Sequence, residues 1–328
     1  MTRSILFWIL ALLITLASAY YQRTTGPTYP VDGTVSVHGA DVHYSLTRTH
    51  GGDGDQPVSL LDPSGTVTGE IVFRRYKSPD DWSRRALTRN GDTLRGWLPH
   101  QPPAGKIEYF VELDDGSGVD RLPAHESVVT RFKGAVPLGV LIPHVIAMFL
   151  AMLLSTRAGI ESFRRKGKPR RQAIWATGLL IIGGLILGPI VQKYAFGAYW
   201  TGFPFGTDLT DNKTLIAFIA WAIALVAIWK ADAIERHPVR RWLVAIAALV
   251  TLAVYLIPHS MMGSELDYSK LDAERARQHP AVMDSVTLEP AVMEEPAQVE
   301  DPAVVPPPSV NPSDDAIPED KQRNGSKK

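Results

Sequence analysis

The chain has 328 residues, and its 34 basic side chains equal its 34 acidic side chains in number, so charge gives no reason to expect nucleic acid as a partner. Because there is no cysteine, disulfides, Cys-ligated zinc, iron–sulfur clusters and covalently attached c-type haem are excluded. The average hides separate blocks: apolar runs, a polar stretch and a Pro-rich, acidic end. This organisation is typical of a membrane protein with a soluble domain.

Residues 1–20 are a short basic start followed by an apolar run. Ala17-Ser18-Ala19 has the small-x-small form of a signal-peptide cleavage site. The run also has the minimum length for an uncleaved anchor helix. Both alternatives, signal peptide or anchor helix, place the following residues outside the cytoplasm.

Residues 21–135 predict an all-β domain. Short alternating stretches, clearest in Ile107–Leu113, are separated by turns rich in Gly and Asp. Seven or eight short strands over about 100 residues are typical of an antiparallel sandwich. The candidate strands are Val35–Val37, Val42–Leu46, Val58–Leu61, Glu70–Tyr76, Ala86–Thr88, Thr93–Leu98, Ile107–Leu113 and Val128–Phe132.

The second half of this domain carries a recognisable order of features. A strand ending in Leu98-Pro99 leads through a Pro/Gly turn to a strand bearing Tyr109, and an Asp-Gly hairpin follows. This order resembles the end of an immunoglobulin or fibronectin-type domain. The resemblance implies an immunoglobulin-like sandwich.

Four further apolar runs predict membrane-spanning helices at residues 136–155, 173–191, 214–229 and 242–259. The loops between the first two and the last two, residues 156–172 and 230–241, are rich in Lys and Arg. By the positive-inside rule both loops are cytoplasmic. The β domain, the loop at 192–213 and the tail at 260–328 are therefore expected outside.

The expected fold class is a membrane α-helical bundle of four helices plus an N-terminal signal or anchor segment, with an extracytoplasmic immunoglobulin-like β-sandwich. The expected location is the cytoplasmic (inner) membrane of a bacterium. The tail at 260–328 is mostly too rich in Pro and acidic residues to bury a core, which predicts disorder. In the apolar run at 173–191, Gly184 and Gly188 predict close helix packing, and Pro189 predicts a local kink.

Two histidines are candidate site residues. His144 lies inside the apolar run at 136–155, roughly 13 Å from its outer end at helical rise, and His259 ends the run at 242–259. An ionisable group inside a bilayer is a functional candidate. The structural alternatives are a helix–helix hydrogen bond for His144 and interfacial solvation for His259.

The loop at 192–213 is rich in aromatic residues and glycine. Its match to one family's pattern consists of Gly197, Tyr199, Trp200, Pro204 and Thr207. These residues make the loop similar to the tryptophan-rich "WWD" segment of haem-handling proteins in cytochrome c biogenesis. It departs from the family at Gly202 and Phe203, which stand at the Trp-Asp positions.

The resemblance implies a haem held on the outer face. His144 and His259 would then be its axial ligands, with Tyr199 and Trp200 against the macrocycle. The alternative is an aromatic belt at the lipid headgroups.

The sequence contains no phosphate-binding, dinucleotide-binding or His-Glu zinc motif. The expected function is therefore a non-catalytic integral membrane protein that presents the β domain as an accessory component of a membrane complex. The expected partners are the lipid bilayer and a membrane or periplasmic protein, without nucleic acid. The alternatives are a haem- or metal-binding protein using His144 and His259, and a small transporter.

Overall fold

The computed structural model describes residues 2–37, 40–114, 116, 118–164, 166–229, 238–258 and 265–278. Within this part of the chain, the predicted combination of an N-terminal helix, several apolar helices and a β domain is confirmed. Five of the described helical segments are long and apolar enough to cross a membrane. Their bounds are Ser4–Thr25, Leu138–Ser162, Arg170–Phe196, Leu209–Ile228 and Pro238–Leu256.

The helices extend beyond the apolar runs. They are α1 Thr2–Thr25, α2 Leu138–Ser162, α3 Arg170–Leu179, α4 Gly188–Phe196, α5 Leu209–Ile228, α6 Pro238–Leu256 and α7 Tyr268–Gln278. Hydropathy marks the apolar part of a helix and misses polar turns at its ends. Thus Glu161, which the sequence placed in the loop at 156–172, lies in α2, and Arg170 begins α3.

A π-helical stretch, Leu180–Leu187, joins α3 to α4, and Pro189 is the second residue of α4. Proline lacks the N–H needed for a regular helical hydrogen bond, so a local change of helix type there has a physical cause. The glycines in this stretch face neighbouring helices closely. A Cβ added to Gly183 would lie 2.9 Å from the Cβ of Ala147, and a Cβ added to Gly184 would lie 2.7 Å from Cγ2 of Thr214.

The β domain consists of two sheets around a common core. Its strands are β1 Val31–Val37, β2 Ala40–Leu46, β3 Thr49–Gly51, β4 Gln56–Leu61, β5 Thr68–Arg75, β6 Ser83–Ala86, β7 Thr88–Asn90, β8 Thr93–Leu98, β9 Lys106–Asp114, β10 Val119–Leu122 and β11 Val128–Lys133. One sheet has the order β1-β2-β4-β8-β7 and the other β3-β11-β9-β5-β6, with β10 also paired to β9. Buried side chains from both sheets form one cluster, which includes Leu60, Leu94, Ile71, Tyr109 and Phe132.

The short strands differ from the predicted ones. The candidate at 86–88 divides into β6 and β7, which belong to different sheets, because the chain crosses between sheets at Leu87. Strand β3 was not predicted, and it pairs in parallel with β11. Three residues are too few to show an alternating pattern, so sequence alone does not reveal such a strand.

The helices pack around α2, which lies against α1, α3 and α6. Small residues line the contacts, and Trp221 of α5 is fully buried among them. Its indole Nε1 donates to Thr251 Oγ1 at 2.8 Å and lies 3.2 Å from Ser155 Oγ. The largest apolar side chain in the bundle core is therefore tied to α2 and α6 by polar contacts.

Candidate functional site

The β domain is joined directly to α4. The backbone N–H of Gly134, just after β11, donates to the carbonyl oxygen of Ala195 at 3.0 Å. An added Cβ at Gly134 would lie 2.3 Å from the carbonyl oxygen of Tyr194, closer than any real Cβ contact. Beside this bond, the guanidinium of Arg131 lies 5.1 Å from the centre of the Phe196 ring. The junction thus requires glycine at position 134.

A second junction is made by residues 265–278, called the strap, which lie on the β domain after α6. The buried side chain of Tyr268 has its hydroxyl 2.9 Å from both the backbone N–H and the carbonyl oxygen of Lys106. Burial raises the pKa of the Tyr268 hydroxyl to about 12. The backbone N–H of Leu266 also donates to Ala104 at 3.4 Å. Buried aromatic surface and backbone hydrogen bonds therefore both hold the strap.

Ion pairs surround these contacts. Arg75 on β5 lies between Asp80, at 2.5 Å, and Asp272 of the strap, at 2.8 Å. Hydrogen bonds from Arg75 hold the pKa of both aspartates below the usual range. Glu265 of the strap lies 2.8 Å from Lys77 and 2.6 Å from Lys106.

Burial opposes ionisation of Glu265, but the hydrogen bonds from Lys106 and Lys77 outweigh it, so its pKa is lowered. Burial lowers the pKa of Lys106. Glu265 and Asp272 of the strap thus pair with basic side chains of the β domain.

Residues 197–208, called the aromatic loop, connect α4 to α5. Asp211 Oδ2 accepts hydrogen bonds from the backbone N–H groups of Thr201, at 2.7 Å, and Gly202, at 3.0 Å. Asn212 Oδ1 accepts from Phe203 N at 2.7 Å, and Asp208 caps α5 by accepting from Thr210 N at 2.7 Å. The loop conformation is therefore held by the first turn of α5.

The predicted site residues on this loop have different environments. Tyr199 is 60% exposed, whereas Trp200 is half-buried and its Nε1 donates to Phe203 O at 3.0 Å. Phe203 and Phe205 are 70% and 83% exposed. Trp200 therefore shapes the loop, and the loop presents the other aromatic rings outward.

His144 makes the helix–helix hydrogen bond considered from sequence. Its Nδ1 lies 2.8 Å from the carbonyl oxygen of Gly183 in the π-helical stretch. Because a carbonyl accepts, Nδ1 is assigned as the protonated nitrogen, and Nε2 then carries the lone pair. Metal-binding histidines commonly have this arrangement. His259, the other predicted ligand, lies outside the described residues, so the structure does not place the two together.

Two polar side chains missed by sequence reasoning close the end of α6. Lys213 is 4% exposed, and its Nζ donates to the carbonyl oxygens of Ile257, at 2.8 Å, and Pro258, at 3.4 Å. Gln22 of α1 donates to the carbonyl oxygens of Tyr255, at 2.9 Å, and Ile257, at 3.3 Å. A helix end leaves such carbonyls without intrahelical partners. Pro258 after the last turn was the available sequence signal.

A further polar cluster lies at the opposite end of the bundle. Arg157 and Glu161, both buried on α2, are 2.6 Å apart, and Arg164 lies 2.7 Å from Glu161. The guanidinium of Arg157 lies 5.7 Å from the ring of Phe7 and 5.4 Å from that of Trp8 on α1. This cluster attaches the start of α1 to α2.

In the described part of the chain, no three His, Asp or Glu side chains form a group that could hold a metal ion. No family model matches the chain, and no curated protein is significantly similar to it. Among the described residues, the two junctions, the aromatic loop and His144 are the features that bear on function.

Proposed function

We propose that this chain is a multi-pass protein of a bacterial cytoplasmic membrane that carries its β domain on the outer side as a non-catalytic accessory component of a membrane complex. The observation that carries the proposal is the pair of junctions. A flexible linker is enough to tether a domain to a membrane. Here, in contrast, Gly134 is hydrogen-bonded to Ala195 of α4, and Tyr268 of the strap is hydrogen-bonded to Lys106 of the β domain. Such attachment favours presentation of one surface in one orientation.

The placement in a membrane is supported by the ends of the bundle. Large apolar side chains remain exposed along the helices, and aromatic residues cluster near one end together with Arg164, Arg170 and Arg241. In this cluster the rings of Phe163 and Trp242 are in contact, Trp229 lies beside Arg170, and Trp8 lies beside Arg157. The opposite end carries exposed Tyr20, Tyr21, Tyr194 and Tyr199. Aromatic belts with basic residues on the cytoplasmic side are typical of membrane helices, which supports the proposed orientation.

We also propose that the β domain is an immunoglobulin-like sandwich. This proposal is supported by two mainly antiparallel sheets that share one core, and by the crossing of the chain between sheets at Leu87. The parallel pair β3–β11 and the strap are additions to a simple sandwich. Both lie at the end of the domain that meets the helices, since β11 leads into Gly134.

The orientation is testable because the chain has no cysteine. Single cysteines at Ser59, exposed on β4, and Lys166, exposed between α2 and α3, give two reporters. We expect a membrane-impermeant maleimide to label Ser59→Cys in intact spheroplasts. The same reagent should label Lys166→Cys only after the spheroplasts are lysed. Labelling of Lys166→Cys in intact spheroplasts would contradict the orientation.

The accessory role is tested by the native mass of the protein in mild detergent from its own membranes. We expect a complex larger than the monomer, with cross-links from a photoreactive residue at Trp97, which is 47% exposed on β8. The same photoreactive residue at Val226, 78% exposed on α5, is the control and should react with lipid. A monomer without cross-links from Trp97 argues against the accessory role.

A second candidate, a haem-binding protein, is favoured by one observation. The Nδ1 of His144 is engaged with Gly183 O, which leaves Nε2 suited to a metal. The test is an optical spectrum of purified protein before and after addition of haem, beside His144→Ala and His259→Ala variants. A Soret band that each substitution abolishes supports haem binding. A spectrum without a Soret band, even after haem is added, contradicts it.

A further inference from the structure

Three aromatic side chains of the aromatic loop are exposed together. Tyr199, Phe203 and Phe205 are 60%, 70% and 83% exposed, and the two phenylalanines are separated by Pro204, which is also exposed. Contiguous exposed apolar surface on a protein commonly marks a contact with a partner or a membrane. The loop therefore presents an apolar tip.

The loop cannot withdraw these rings into the protein without losing its own hydrogen bonds. Asp211 and Asn212 hold the backbone N–H groups of three successive residues, Thr201 to Phe203. The backbone N–H groups of Phe205 and Gly206 both donate to the carbonyl oxygen of Gly202 at 2.9 Å. The rings are thus exposed while the loop backbone is hydrogen-bonded to the first turn of α5, and their exposure does not come from an unfolded loop.

The helices on both sides of the loop also expose apolar side chains. Tyr194, two residues before the end of α4, is 47% exposed, and Ile216 and Ile219 on α5 are 54% and 47% exposed. Lys193 stands at the same level, where its Nζ donates to Gly197 O at 2.7 Å and lies 5.5 Å from the ring of Tyr199. A lysine and a tyrosine at a helix end are typical of the level of lipid headgroups.

We infer that the aromatic loop inserts Phe203 and Phe205 into the headgroup region of the outer leaflet, so that its binding partner is the lipid bilayer. This inference rests on the proposed membrane placement. The same α4 end carries the Gly134–Ala195 bond to the β domain. The inserted loop therefore fixes the depth of the helix end on which the β domain stands, and leaves the β domain as the surface for protein partners.

The experiment uses single cysteines at Phe203 and Phe205 in the full chain, labelled with an environment-sensitive NBD fluorophore and reconstituted in phosphatidylcholine–phosphatidylglycerol vesicles. Both side chains are exposed, so substitution removes little buried contact. We expect lipids with a doxyl group near the headgroup to quench these labels at least about twofold more than aqueous iodide does, as for a side chain at the interface.

Two control positions separate the possible failures. A label at Ser59 on β4 should be quenched by iodide and not by doxyl lipid, and a label at Ile219 on α5 should be quenched by doxyl lipid. If Ile219 behaves as expected while Phe203 and Phe205 behave like Ser59, the inserted loop is overturned and the membrane placement stands. If Ile219 also behaves like Ser59, the proposed membrane placement fails.

Protection of Phe203 and Phe205 from both quenchers would also overturn the inference, because it would mean that another protein surface covers the loop. A second copy of this chain would then be recognised by disulfide formation between Phe205→Cys chains in the same vesicles.

Discussion

Gly134 and Tyr194 meet so closely that one methyl group decides the junction between the β domain and α4. The same kind of constraint acts in the aromatic loop, where two N–H groups depend on the single carboxylate of Asp211. At the residue scale, the protein therefore depends on small or polar side chains whose importance is not visible from hydropathy. Two substitutions test this directly.

Gly134→Ala places a Cβ 2.3 Å from the carbonyl oxygen of Tyr194. We expect the β domain to shift from α4 at a cost of about 1–3 kcal/mol, the usual cost of overpacking. Limited proteolysis should cut faster near residues 133–137. The control is Gly139→Ala, where an added Cβ meets nothing within 4 Å. Equal proteolysis of the two variants would show that the junction does not depend on Gly134.

Asp211→Ala leaves the N–H groups of Thr201 and Gly202 without their acceptor, at a cost of about 1–3 kcal/mol for the buried Gly202 group and less for the part-buried Thr201 group. We expect amide hydrogen exchange across residues 199–206 to accelerate by at least about tenfold, since 1.4 kcal/mol corresponds to a factor of ten. Thr207→Ala, an exposed change in the same loop, should leave exchange unaltered. Unchanged exchange in Asp211→Ala would mean that other contacts hold the loop.

At the scale of elements, α1 is part of the bundle. Ala11, Thr15 and Ser18 form a buried stripe at helical spacing, and Gln22 continues it with hydrogen bonds to the end of α6. Ser18 is the middle residue of the candidate cleavage site and is 5% exposed. A small-residue motif that serves helix packing has the same composition as one that serves cleavage, which is why sequence left both alternatives open.

Because α1 contributes the cap of α6 and contacts Arg157, we expect it to be retained in the mature protein. The intact mass of protein purified through a C-terminal tag should include residues 1–19, apart from the initiating methionine. A mature chain that begins at Tyr20 would contradict the retention of α1.

Gln22→Ala should lower thermal stability by the loss of about one to two hydrogen bonds, roughly 1–2 kcal/mol.

At the scale of the whole molecule, the strap closes the chain onto the β domain. Tyr268 supplies a buried contact, and Asp272 and Glu265 pair with cations of the β domain. Both carboxylates of the strap are more than a third exposed, so water screens their pairs and the buried tyrosine gives the more durable contact. The electrostatic part should nevertheless respond to pH.

The lowered pKa values of Asp80, Asp272 and Glu265 set the direction of this response. A carboxyl whose pKa is lower in the folded state stabilises that state above its unfolded pKa of about 4, and this contribution is lost as pH falls through the folded value. We expect hydrogen exchange of residues 265–278 to accelerate between about pH 5 and pH 3, after correction for intrinsic exchange rates.

Asp272→Asn should reduce this pH dependence, whereas Asp120→Asn, an exposed change on β10, should not. The same loss in both variants would assign the response to general acid unfolding.

The sequence by itself determined the kinds of element. Apolar runs and alternating stretches are local patterns, and they led to the apolar helices and to most strands of the β domain, but not to the polar helix α7, which lies in the tail at 260–328. It also identified His144 and its structural alternative. Polar helix ends such as Arg157–Glu161 and three-residue strands such as β3 were missed, because neither carries a local apolar pattern.

Only the tertiary structure decided which contacts join these elements to one another. Gly134 is hydrogen-bonded to Ala195, 61 residues away in the sequence. Gln22 is bonded to Tyr255, 233 residues away, and Tyr268 to Lys106, 162 residues away. No local pattern connects these partners. Gly183 O, the partner of His144, is a backbone atom that any residue could supply. Side-chain composition specifies local structure, but contacts made by backbone atoms of distant segments exist only once the chain has packed, and on these contacts the fixed position of the β domain depends.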